Sequence, residues 1–110
     1  MYRYKREVPK GNGINNVVPR YKLIFYSPLA PVEKIKRALF AVGAGTHAGS
    51  KYRHCAFQSM GIGQFLAVGE RGADPHIGKV EQVEQVQEAR VEVLCVGQKV
   101  VKDAVEALKR

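Results

Sequence analysis

The sequence predicts an α+β protein, a mostly antiparallel sheet with two helices on one face. Stretches with a period of two alternate with stretches of helical period, in the order strand, helix, hairpin, strand, helix. No apolar run approaches the roughly 20 residues that a membrane-spanning helix needs. At 110 residues, 45% hydrophobic and 25% charged, the chain suits one globular domain with a modest core.

Residues 1–19 hold Pro9, Gly11, Gly13 and Pro19 with no sustained periodicity. They read as a basic N-terminal arm, poorly ordered or extended, ahead of a domain over residues 20–110. "YKLIFYS" (21–27) is a strand of β-forming residues, stopped by Pro28. Pro31 suits a first helical turn. Val32, Ile35, Leu39 and Val42 then fall on one helical face, with Lys34, Lys36 and Arg37 on the others, and Gly43 and Gly45 end the helix.

From Tyr52 the period becomes two. Tyr52, His54, Ala56 and Gln58 face one way, Arg53, Cys55, Phe57 and Ser59 the other. Gly61 and Gly63 are expected to turn the chain into a second strand, "QFLAV", completing a hairpin. In "EARVEVLCV" (88–96), Val91, Val93 and Cys95 share one face, and Arg90, Glu92 and Leu94 the other. Val101, Ala104, Val105 and Leu108 form the apolar stripe of a last helix.

The net charge of +8 is concentrated at the start: residues 1–22 carry six Lys or Arg against Glu7 alone. Such an arm could hold weak contacts with a polyanion, a nucleic acid included, although a solvated tail is the simpler expectation. No apolar core of signal-peptide type follows Met1. Cys55 and Cys95 are too few for a disulfide scaffold and sit in apolar, strand-like runs. Both are therefore expected as buried free thiols, and the protein as cytoplasmic.

Few constellations in the chain carry chemistry. Adjacent strand residues diverge, so His54 and Cys55 cannot readily hold one ion, and neither His47 nor His76 stands at a ligand spacing. "GIGQF" lacks the third glycine of a dinucleotide fingerprint and the Gly-Lys-Ser/Thr of a phosphate loop, and it precedes a strand. "GAGTHAG" follows a helix and fails the same test. Cys55 and Ser59 lack an evident base with an orienting acid. No catalytic residue, metal ligand or cofactor is expected. His54, Gln58, His76, Arg90 and Glu92 remain as ligand or interface candidates, with Gly61 and Gly63 as turn glycines.

Gly43-Ala44-Gly45, Gly49, Tyr52, His54-Cys55, Phe57, Gly61-x-Gly63-x-Phe65, Gly72-Ala73-x-Pro75-x-Ile77-Gly78 and Glu88-x-Arg90-x-Glu92 together resemble the YqfO-type domain. This is the small domain related to CutA and PII proteins, found alone or inserted in the larger Nif-three-like proteins called GTP cyclohydrolase I type 2 homologues. Over residues 21–110 the resemblance implies a ferredoxin-like fold that trimerises through sheet edges. It carries no metal ligand onto this chain, because the dinuclear site of the larger relatives lies in flanking domains. Members continue past the second helix into a His-Pro-Tyr-Glu-Glu-Pro-like segment and a last strand. This chain ends at Arg110 without them, so one sheet edge is expected to be open, or filled by the arm or a neighbouring copy.

The expected function is a non-enzymatic module that oligomerises, trimers foremost, and binds a small ligand or a protein partner. The alternatives are a metal-dependent hydrolase-like protein, as among the larger relatives, and a nucleic-acid binder acting through the arm.

Overall fold

The structure, a computed structural model, describes residues 2–7, 18–47, 49, 51–72 and 79–109. Its elements are β1 (Tyr2–Glu7), β2 (Arg20–Pro28), α1 (Val32–Ala41), β3 (Phe57–Leu66), β4 (Val83–Val96) and α2 (Gln98–Leu108). The four strands form one antiparallel sheet in the order β1-β2-β4-β3.

Alternation along the two central strands builds the core. On β2, Tyr21, Leu23, Phe25 and Ser27 are buried; on β4, so are Ala89, Val91, Val93 and Cys95. These positions oppose one another across the ladder, from Tyr21↔Cys95 to Ser27↔Ala89, so they share one sheet face. Val32 and Leu39 of α1 and Val101 and Ala104 of α2 close over them. Each helix thus turns its expected stripe inward. Ser27, the one buried polar residue among those described, donates its hydroxyl to the Pro28 carbonyl at 2.8 Å.

Two segments depart from the sequence reading. Gly61 and Gly63 do not turn the chain: both lie inside the continuous strand β3, opposite Glu88 and Val86, and neither has a positive φ. A partner strand that already begins at Val83 supplies the ladder bonds that outweigh the local turn preference of two glycines. Residues 52–56, expected as strand, are irregular, and Cys55 is exposed rather than buried. His54 has φ +58°, which breaks the extended alternation that would have turned the thiol inward. Its ring stacks on Phe40 of α1, centroids 4.9 Å apart.

A clasp holds this irregular segment. The Gly45 N–H donates to the Leu94 carbonyl at 2.7 Å, and the Gly45 carbonyl accepts from the Cys55 N–H at 3.0 Å. Gly45 has φ +80°, and a Cβ there would stand 2.7 Å from the Cys55 carbonyl oxygen, so glycine is required twice over.

At the sheet's other edge, Tyr2–Glu7, within the segment expected as a basic arm, pairs with β2 from Tyr2↔Phe25 to Glu7↔Arg20. Tyr4 meets Tyr21 edge-on at 6.0 Å. Residues 8–17 of the same arm lie outside the described residues. The radius of gyration is 17.0 Å, against about 13 Å for a compact chain of this length.

Candidate functional site

The sheet has one face under the helices and one open face, and the register arranges the open face in cross-strand rows. Arg3, Ile24, Glu92 and Phe57 form one row, Tyr26, Arg90 and Ser59 the next, and Pro28, Glu88 and Gly61 the third. Beyond these come Val86 with Gly63 and Glu84 with Phe65.

Polar contacts tie the first two rows together. Arg3 donates from Nη2 to the Tyr26 phenol oxygen at 3.2 Å, and Arg90 bonds the same phenol. Arg90 also pairs with Glu92, Nη1 to Oε1 at 2.7 Å. The Arg90 bond, then the Arg3 bond, lower the Tyr26 pKa by favouring phenolate. The Glu92 bond, then the Tyr26 bond, raise that of Arg90.

Glu88 stands two residues from Arg90 on the same face of β4, yet the two do not pair. Its carboxylate lies over Gly63 instead, where a Cβ would collide with Oε1. Between Arg90 and Glu88 is a cleft of about 150 Å³ lined by Tyr26, Ser59, Met60, Gly61, Ile62, Glu88 and Arg90. Gly61 leaves its floor bare backbone, for a Cβ there would touch nothing within 4 Å.

The residues singled out in the sequence are scattered by the fold. Arg90 and Glu92 come together on the open face, but neutralise one another rather than a neighbouring strand. Gln58 lies on the opposite sheet face, across from Val91. His54 is engaged with Phe40, and His76 lies outside the described residues. Gly61 and Gly63 serve as floor rather than turn. Tyr26 and Arg3 carry no signal in the sequence, Ser59 enters there only as a nucleophile without a base and Glu88 only within Glu88-x-Arg90-x-Glu92; their assembly depends on pairings between distant strands. Exposed Cys55 borders a second shallow cleft of about 230 Å³ with Lys22, Phe57, Glu92 and Leu94. Buried Cys95 has its thiol pushed up to about 11 by desolvation. Among the described residues no three His, Cys, Asp or Glu side chains group as metal ligands, and no helix is long and apolar enough to cross a membrane.

No family model matches the chain. Over 74 residues it is 47% identical to the GTP cyclohydrolase 1 type 2 homolog of Mycobacterium tuberculosis, which covers 67% of this chain and 18% of that protein. The Bacillus subtilis protein of the same name is 45% identical over 76 residues, 69% of this chain and 19% of the other. A solved structure, a Bacillus cereus protein related to NIF3, matches at a TM-score of 0.56 and 32% identity, over 80% of this chain and 21% of that one. The chain therefore spans about a fifth of the length of these relatives. These likenesses support kinship with the Nif3-like proteins, and the small α+β fold is consistent with one of their domains.

Proposed function

We propose, with kinship to the Nif3-like proteins as premise, that this chain is a non-enzymatic module that self-associates through the β3 edge. The observation that carries the reading is the contrast between the sheet's two edges. β1 is an edge strand marked by Arg3 and Lys5, the charges that discourage strand addition. β3, "FQSMGIGQFL", runs ten residues without a charge or a proline and lies at the opposite edge. Ile62 is 70% exposed, Phe57 63% and Met60 54%, so apolar surface stands on both of its faces. An edge of this kind is a template for another strand, and a second copy is the partner always at hand.

In this reading the fold is the ferredoxin-like plan of the CutA and PII relatives. β2, α1, β3, β4 and α2 supply its first five elements, and β1 takes the edge beside β2. A closed trimer leaves few free edges. The charged groups of the open face are engaged mainly with one another, which suits recognition better than turnover. Amide exchange tests the association. The outward N–H groups of Phe57–Leu66 should gain protection as protein concentration rises, while those of β1 should not. Exchange in β3 that is independent of concentration would refute the proposal.

A further inference from the structure

We propose that the cleft between Arg90 and Glu88 binds a free α-amino acid. The inference goes beyond self-association and does not depend on it, since every lining residue belongs to one chain.

Opposite charges two positions apart on a strand face stand roughly 6.6 Å apart along the backbone, within reach of one another. Here they are held apart. Arg90 is turned to Glu92 and Tyr26, and Glu88 lies over Gly63. The gap between them presents a guanidinium and a phenol on one side and a carboxylate on the other. Ser59 adds a hydroxyl from the row it shares with Tyr26 and Arg90. Arg3 donates to the same phenol, which lets that phenol turn its own O–H outward to an anion.

A ligand that satisfies both sides must carry an anion and a cationic N–H donor a few ångströms apart. Its carboxylate would accept from Arg90 and Tyr26, and its ammonium would donate to Glu88, all charge-assisted hydrogen bonds. At about 150 Å³ the cleft is half the roughly 300 Å³ at which drug-sized sites begin, too small for a nucleotide. Gly61 provides a flat floor of exposed backbone for a small aliphatic side chain. An α-amino acid zwitterion combines this size with this spacing of charges. Simple anions and simple amines each leave one side of the cleft unmatched.

Titration calorimetry on the full chain tests this with L-leucine as probe, against 4-methylpentanoate, which lacks the ammonium, and 3-methylbutylamine, which lacks the carboxylate. L-Leucine should bind once per chain, and each half-molecule at least about tenfold more weakly. Glu88→Gln should weaken L-leucine about tenfold without weakening 4-methylpentanoate, from which it removes a like charge. Tyr26→Phe, which removes one oxygen, should weaken both. An unaltered denaturation midpoint in each variant would show that the fold persists. The proposal is overturned if L-leucine gives no heat at millimolar concentration, if 4-methylpentanoate binds as tightly, or if neither variant changes the L-leucine affinity. Light scattering on the same samples reports association separately, so either reading can fail while the other stands.

Discussion

Strand β4 runs through two different environments. From Ala89 to Cys95 every second side chain is buried beneath α1 and α2; from Val83 to Glu88 none is. The change falls where the helices stop, although the alternation of apolar and polar residues is only partly lost there. One continuous strand thus joins a helix-covered half, where burial stabilises the fold, to a ribbon with β3, where apolar surface stays in solvent. The division separates residues whose loss unfolds the chain from residues whose loss alters only what it touches.

Substitutions in the two halves sharpen that division. Leu39→Ala, in the covered half, should cost about 2–5 kcal/mol by urea unfolding, since Leu39 is fully buried and the helix cannot close the cavity. Gly45→Ala should cost about 1–3 kcal/mol: the new side chain must accept a left-handed φ and displace the Cys55 backbone. Cys95→Ser should cost about 1–3 kcal/mol by burying a hydroxyl among apolar neighbours. Ile62→Ala, in the ribbon, should change the stability of the dissociated single chain by less than about 0.5 kcal/mol, as surface substitutions do. A cost above 1 kcal/mol there would break the comparison.

Alkaline pH probes the covered half when the native sequence is read against a Cys95→Ala control, which shares the open-face Tyr26 titration. Folding raises the Cys95 thiol from 9.0 to about 11, so its protonated form is the one the core tolerates. That contribution is intact below about 9 and is lost as pH rises through about 11. The urea midpoint of the native sequence should therefore fall more between pH 8 and pH 11 than that of Cys95→Ala. Parallel declines would contradict it.

The same division explains what was legible in the sequence. Leu23 and Phe25 announce their strand within a short run of β-formers stopped by Pro28, Val91 and Val93 theirs by alternation, and Leu39 and Val101 announce their helices by period. At Gly61 and Gly63 the local preference for a turn yields to ladder bonds with a strand more than 20 residues later, so β3 runs straight through both. Tyr2–Glu7 gave no strand signal amid basic residues, because an edge strand buries little. Arg90 and Glu92 could be placed on one face by alternation alone. Tyr26, Ser59 and Glu88 could not join them, since their rows follow from a register that only the folded sheet defines.

The central claim, that the ribbon is an association surface rather than part of the stabilising core, meets its most direct test in light scattering at micromolar concentration. The native chain should weigh about three times its 12.2 kDa. The double variant Met60→Lys, Ile62→Lys should weigh one chain and still unfold cooperatively, with the urea midpoint of the native chain diluted until it dissociates, because charges on that edge block strand addition without entering the core. A native chain that scatters as a 12.2 kDa monomer, or a double variant that keeps the full assembly, would contradict the account.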